Sequence, residues 1–120
     1  MDERIGGELL KGHIATLVLS VLSAQPRHGY EVMKILAERS QGVFDLGQGT
    51  IYPLLYSLEE QGLVKSHEAT VEGRRRRVYS ITSAGRKSLG QRRETWRAFQ
   101  IAINGVLGGT IVEGQNYAAV

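Results

Sequence analysis

Apolar residues recur at helical spacing along the first half of the chain and predict three helices. The first is predicted from about Glu8 to Ala24, because apolar positions there fall at i, i+3, i+4, i+7 and i+8. These positions are Ile14, Leu17, Val18, Val21 and Leu22. The second helix is predicted from Gly29 to Arg39. The third begins near Gly49 and ends at Gly62, and it has one aliphatic face opposite a polar and aromatic one.

After Gly62 the pattern changes to one typical of short strands. The segments LVKSHE and VYSIT have strand propensity, and the stretch ATVEGRRRR between them is predicted to contain the turn. We expect an antiparallel hairpin with Gly73 near its tip and the run Arg74 to Arg77 at one shoulder. Thr82 or Ser83 then caps a last, long helix.

The last helix has apolar residues at heptad spacing, with an arginine interrupting the series at Arg92. This spacing is typical of a helix that packs against another helix, and the first helix also has more aliphatic surface than one small domain needs. The two features together predict a homodimer. The residues expected in its interface are Ile14, Leu17, Leu89, Trp96, Phe99 and Ile103.

The length and composition are those of one ordinary globular domain. The chain has 120 residues, of which 42% are hydrophobic and 22% are charged. Cysteine is absent, which excludes disulfides, thiolate catalysis and thiolate metal sites. The apolar stretch from Ile14 to Leu22 is too short to span a bilayer, and acidic residues precede it. We therefore expect a cytoplasmic protein with no membrane partner.

The charge is distributed unevenly along the chain. The net charge is only +3, but residues 62–97 hold ten basic and three acidic residues, a net of +7, and the remainder has a net charge of −4. Such asymmetry indicates that one region meets a polyanion. The alternative is an ordinary solvated surface rich in arginine and lysine.

The predicted order of elements is that of a winged helix-turn-helix, a mainly α fold with a small β-hairpin (α+β). In this fold the third helix enters the major groove of double-stranded DNA and the hairpin reaches the neighbouring backbone. Hydroxyl groups on the third helix and guanidinium groups on the hairpin are suited to phosphates and base edges. The candidate DNA-binding residues are Gln48, Thr50, Tyr52, Tyr56, Ser57, Arg74, Arg75, Arg76 and Arg77.

Several segments in this order resemble the PadR family of bacterial winged-helix transcriptional regulators. They are HGYEVMKIL at 28–36, LGQGTIYPLLYSLEEQGLV at 46–64, GRRRRVYSITSAGR at 73–86, and the downstream Trp96. The resemblance implies a homodimeric repressor that binds a palindromic operator and is often released by a small molecule. It also implies a recognition-helix motif at 49–55, a wing at 73–79 and a dimerising helix from Ser83 to about Asn104, as in the smaller members.

The resulting domain organisation has three parts. Residues 1–82 form the DNA-binding domain, residues 83–107 form the dimerisation helix, and residues 108–120 form a weakly ordered tail rich in glycine. With no room for a separate sensing domain, an effector would bind where two chains meet. Trp96 and Phe99 are candidates for stacking on a small aromatic or hydrophobic effector.

Other chemistry has little support in the sequence. His13, His28 and His67 lack metal-ligand spacing, so no metal site is expected. The segment LGQGT is not followed by Gly-Lys-Ser/Thr and is therefore not a phosphate-binding loop. No nucleophile, carboxylate pair or metal cluster is found at catalytic spacing, so neither an enzyme nor a cofactor is predicted. The alternative function is a protein-interaction or adaptor module that retains the winged-helix fold.

Overall fold

Helices make up most of the described chain, and its strands join in one antiparallel sheet. The computed structural model describes residues 7–108. The elements within this range are α1 (Gly7–Lys11), α2 (Ile14–Ala24), β1 (Arg27–His28), α3 (Gly29–Arg39), α4 (Gln48–Glu60), β2 (Val64–Val71), β3 (Arg74–Ile81) and α5 (Ser83–Leu107). The predicted fold class is confirmed, because an α-rich chain carries a small sheet and ends in a long helix.

The prediction of one helix from Glu8 to Ala24 is wrong, because the chain forms α1 and α2 with a break at Gly12 and His13. Glycine inside a helix costs about 1 kcal/mol relative to alanine, so this position favours an interruption. The His13 N–H closes the turn by donating to the Leu10 carbonyl at 2.8 Å. Leu10 is buried in the same core as the side chains of α2, so α1 packs against the domain despite the break.

Helix α3 has the predicted bounds, and a reciprocal capping box fixes its beginning. His28 is the N-cap, and its Nδ1 accepts a hydrogen bond from the Glu31 N–H at 3.3 Å. The Glu31 carboxylate in turn accepts from the His28 N–H at 3.3 Å. Two backbone N–H groups that a helix start leaves without partners are thereby satisfied.

The sheet has three strands in the order β1-β3-β2, one more than predicted. Strand β1 consists of only Arg27 and His28, which pair with Tyr79 and Val78 in β3. The sequence predicts no strand at β1, because two residues are too few to show alternation. Pairing with a distant segment holds them as a strand instead.

The β2–β3 hairpin, which we call the wing, is longer than predicted. Its turn consists only of Glu72 and Gly73, both with positive φ (51° and 78°), as a type I′ turn requires. Val71 therefore pairs directly with Arg74. The predicted position of Gly73 in the turn is confirmed, and the run Arg74 to Arg77 follows it directly as the first half of β3.

The core is built from aliphatic side chains of the helices and of the inner ends of β2 and β3. Burial of each such side chain contributes about 1.5–3 kcal/mol. The predicted aliphatic face of the third helix is confirmed, because α4 directs its leucine and isoleucine side chains inward. The largest fully buried residues are Leu19, Leu22, Ile51, Leu55, Leu58, Val18, Val32 and Val64.

Helix α5 begins where the sequence predicts, with Thr82 as its cap. The Thr82 Oγ1 accepts a hydrogen bond from the Gly85 N–H at 3.0 Å and donates one to the Gly62 carbonyl at 2.7 Å. The start of α5 is thus tied to the turn between α4 and β2.

The chain divides into two compact units, of which the first ends at Leu89 and the second begins at Gly90. Of the expected weakly ordered tail at 108–120, all but Gly108 lies outside the described residues. Across residues 7–108, no helix combines the length and the apolar character needed to cross a bilayer.

Candidate nucleic-acid interface

The outer face of α4 carries the polar residues that the sequence predicts there. Gln48, Thr50, Tyr52, Tyr56 and Ser57 are all exposed. This arrangement follows from the helical period, because the aliphatic residues of α4 point into the core. One helix therefore presents an amide and four hydroxyl groups to the solvent.

Tyr52 is positioned by close contact with the beginning of α3. A Cβ atom at Gly29 would lie 2.5–2.8 Å from Cε1, Cζ and the hydroxyl oxygen of Tyr52, so the Tyr52 side chain would have to move. The absence of a side chain at Gly29 therefore allows the ring to lie against the backbone. The ring is still 38% exposed, so it contributes to the surface.

Behind this face, Tyr79 of β3 is buried and only 7% exposed. Burial raises the pKa of Tyr79 above its ordinary value of 10.0, and the neighbouring Arg77 opposes this rise. The negative charges that Glu59 and Tyr52 bring when ionised add to the rise. The phenol therefore stays neutral through the physiological range.

The four arginines of β3 divide between the two faces of the wing. Alternation along the strand, with Glu68 paired to Arg77, places Arg75 and Arg77 on the face that Glu68 shares. Arg74 and Arg76 lie on the other face. The sequence predicts that the four arginines form one basic cluster, whereas in the structure they form two pairs on opposite faces of the wing.

On the first face, a chain of polar contacts links α4 to the wing. The Ser66 N–H and Oγ both donate to the Glu59 carboxylate, at 3.1 Å and 2.8 Å. The Arg77 Nη1 donates to the Ser66 Oγ at 3.0 Å, and its Nη2 lies 3.6 Å from the Glu68 Oε1. The Arg75 Nη2 donates to the Glu68 Oε2.

The pKa of Glu68 is lowered, first by the hydrogen bond from Arg75 and then by the charges of Arg75 and Arg77. The sequence reasoning missed Glu59, Ser66 and Glu68. The turn residues Glu72 and Gly73 could have revealed the partnership of Glu68 and Arg77, because a two-residue turn fixes the register of the whole hairpin.

On the other face, Arg76 lies beside α3. Its guanidinium carbon is 6.0 Å from the centroid of the Tyr30 ring, within the range of a cation–π contact. Both residues line a groove of about 400 Å³ between α3 and the end of the wing. The charged residues around it balance, with three of each sign: Arg27, Lys34, Arg76, Glu31, Glu38 and Glu72. This balance favours neither an anionic nor a cationic ligand.

The residues predicted for a dimer interface fall into two groups. Leu89 is 2% exposed and belongs to the core of its own chain, and Ile14 and Leu17 pack partly against that core. Trp96, Phe99 and Ile103 are 43%, 51% and 41% exposed, respectively. Of the six residues predicted for the interface, these last three therefore offer the most exposed apolar surface.

Trp96 and Phe99, the candidate effector-binding residues, are neighbours on α5. Their ring centroids are 5.9 Å apart and their planes are tilted by 38°. This is a typical aromatic pair, and both rings are partly exposed. As for metals, residues 7–108 contain no group of three or more histidine and carboxylate side chains that is placed to hold an ion.

Comparison with known proteins places these elements in one family. The family model described as "Transcriptional regulator PadR-like family" matches residues 18–91. A transcriptional regulator of Mycobacterium tuberculosis, Rv3488, is 41% identical over 83 residues, which cover 69% of this chain and 62% of that protein. The Escherichia coli transcriptional regulator YqjI is 34% identical over 83 residues, or 39% of its length. The chain thus spans less than two thirds of either regulator.

Solved structures agree with this assignment. A transcriptional regulator from Clostridium thermocellum has a TM-score of 0.76 and 30% identity, with 82% of this chain and 96% of that chain covered. A PadR family regulator from Clostridium difficile has a TM-score of 0.71 and 32% identity, with 80% and 99% covered. The resemblance noted in the sequence is confirmed. The chain belongs to the PadR-like family of transcriptional regulators, whose members are not enzymes.

Proposed function

We propose that the protein is a cytoplasmic, homodimeric repressor that binds a palindromic DNA operator and is released by a small aromatic or hydrophobic effector. The observation that carries the DNA-binding part is the exposed polar face of α4 beside a strand containing four arginines. Helix α4 enters the major groove, and the wing lies over the flanking phosphates.

The two parts of this surface have different tasks. The hydroxyl and amide groups of α4 are short and lie on a rigid helix, so they read base edges or fix the helix on nearby phosphates. The wing arginines are long and charged, and they supply affinity that does not depend on sequence. Specificity therefore belongs to α4 and salt-dependent affinity to the wing.

Dimerisation is supported by the exposed apolar side chains of Trp96, Phe99 and Ile103 on α5. Association with the same helix of a second chain removes these side chains from water. Two-fold symmetry then requires operator half-sites about one helical turn, or about 34 Å, apart.

The effector site is proposed at the same helix. The aromatic pair of Trp96 and Phe99 in each protomer offers faces on which a flat apolar molecule stacks. A molecule bound between the protomers changes their spacing, and with it the spacing of the two α4 helices. Such a ligand weakens operator binding without touching the DNA-binding face.

Replacement of Arg74 to Arg77 by alanine tests the wing. We expect weaker binding to every duplex, and a plot of log Kd against log salt that is flatter by about 0.9 for each phosphate that the variant no longer neutralises. The control is the double variant Lys87→Ala/Arg97→Ala, which removes basic charge from exposed positions of α5. We expect it to change the slope much less.

Equal slopes for the wild type and the four-arginine variant would contradict the role of the wing. A stable protein partner, combined with no sequence preference among DNA duplexes, would favour the adaptor function instead.

A further inference from the structure

Two of the four wing arginines already hold an anion in the free protein. One carboxylate, that of Glu68, contacts Arg77 through Oε1 and Arg75 through Oε2. We propose that Glu68 is an internal competitor for DNA phosphates, occupying both guanidinium groups until a phosphate displaces it. This inference rests on the proposed DNA-binding function.

The geometry of the contact resembles that of a bound phosphate. A carboxylate and a phosphate both present anionic oxygens to the N–H groups of a guanidinium, and both pair with it strongly. Glu68 uses one oxygen for each arginine, as a phosphate group does when it bridges two side chains. A phosphate that contacts the same N–H groups must therefore replace the carboxylate.

The exchange takes place in open solvent. The side chains of Arg75, Arg77 and Glu68 are 73%, 48% and 52% exposed, respectively. Exposed ion pairs are weak and exchange readily, so the carboxylate competes with DNA without blocking it. The lowered pKa of Glu68 keeps this carboxylate ionised at neutral pH.

Arg77 stays positioned when Glu68 leaves. Its Nη1 donates to Ser66 Oγ, and Ser66 is held by the Glu59 carboxylate of α4. Displacement of Glu68 therefore frees one N–H edge of an arginine that remains fixed beside α4. Arg75 has no such second contact among those that link the wing to α4.

The consequence is a lower affinity for all DNA. Each arginine that must first give up a carboxylate contributes less to the sequence-independent part of binding. The released carboxylate also attracts a cation from solution, which reduces the net number of ions released on binding. Glu68 therefore weakens binding to the operator and to unrelated duplexes by a similar factor.

The variant Glu68→Gln tests the proposal in the full-length chain, because it removes the charge and keeps the shape. The probe is a random-sequence duplex of about 30 base pairs, or three helical turns. We expect binding about three- to tenfold tighter at low salt, with a salt slope steeper by up to about 1. The matched control is Glu72→Gln, which removes the same charge from the turn of the wing. Within residues 7–108, no arginine forms an ion pair with Glu72.

The same two glutamate substitutions are also measured in a protein that carries Arg75→Ala/Arg77→Ala. This comparison distinguishes the pairing of Glu68 with the two arginines from a general effect of removing negative charge. We expect Glu68→Gln to lose its advantage over Glu72→Gln in this background. If the advantage persists, or if Glu68→Gln equals Glu72→Gln in the wild-type background, the proposal is overturned.

The proposal and the proposed function fail in different ways. If the wild type binds DNA and Arg75→Ala/Arg77→Ala weakens it, but Glu68→Gln gives no gain, only the role of Glu68 is wrong. If the wild type binds no duplex at any salt concentration, the proposed function is wrong as well.

Discussion

Small residues and one buried phenol determine how closely the elements of the first unit approach one another. At Gly29, the missing side chain leaves room for the Tyr52 ring against the start of α3. At Gly85, it leaves room for the backbone carbonyl of Leu63. Tyr79 of β3 places a phenol in the core, where burial raises its pKa.

Gly85→Ala is expected to destabilise the protein. A Cβ atom there would lie 2.1 Å from the Leu63 carbonyl oxygen and 2.7 Å from the Ile81 Cγ1, so the backbone must shift. Overpacking of this kind lowers the free energy of unfolding by about 1–3 kcal/mol. Urea denaturation followed by circular dichroism measures the change.

Gly90 provides the matched control in the same helix, because a Cβ atom there has nothing within 4 Å. Gly90→Ala is expected to raise the free energy of unfolding by about 0.5–1 kcal/mol, since alanine favours the helix more than glycine does. If Gly85→Ala raised the free energy of unfolding as Gly90→Ala is expected to do, the close packing inferred at Gly85 would be contradicted.

Tyr79 is expected to make the protein sensitive to alkaline pH. Because burial raises its pKa in the folded state, the unfolded chain loses this proton first, near its ordinary pKa of 10.0. The stability contributed by the neutral phenol is therefore complete below pH 10.0 and falls as the pH rises through the folded pKa.

In an absorbance titration, one tyrosine of the wild type should form its phenolate at a higher pH than an ordinary tyrosine does. This step should be missing from Tyr79→Phe. The free energy of unfolding of Tyr79→Phe should also fall less above pH 10.0 than that of the wild type. Tyr56→Phe, at a site that is 66% exposed, is the control. A normal pKa for Tyr79 would contradict the effect of burial.

At the scale of elements, the sequence predicts best where local signals agree. Helix α3 is the second helix that the sequence predicts, and its bounds are predicted correctly. The reason is that a glycine stands where its apolar pattern begins and another glycine lies in the break that follows it. The face of α4 is predictable for a similar reason. Once the aliphatic positions are assigned to the core, the hydroxyl groups must lie on the outside.

Elements that depend on distant partners are predicted less well. Strand β1 has two residues and exists only through its pairing with β3. The outer half of β3 is a run of four arginines, so this part of the wing shows no alternation of apolar and polar positions. The turn predicted for the wing is therefore too long, and the register that brings Glu68 to Arg77 is missed.

At the scale of the whole molecule, the uneven charge takes on a more specific meaning. The net charge of +7 over residues 62–97 predicts a polyanionic partner, and the family assignment agrees with DNA as that partner. The charge is not all equally available, because Glu68 binds two of the wing arginines. We therefore expect the affinity for DNA to depend on both the number of wing arginines and the carboxylate of Glu68.

Selection of bound duplexes from a random library measures whether the protein recognises a specific DNA sequence as a two-fold symmetric dimer. We expect the enriched sequences to contain an inverted repeat whose half-sites are centred about one helical turn, or about 34 Å, apart. The absence of any common sequence after selection would contradict specific recognition, and a single unrepeated motif would contradict the dimer.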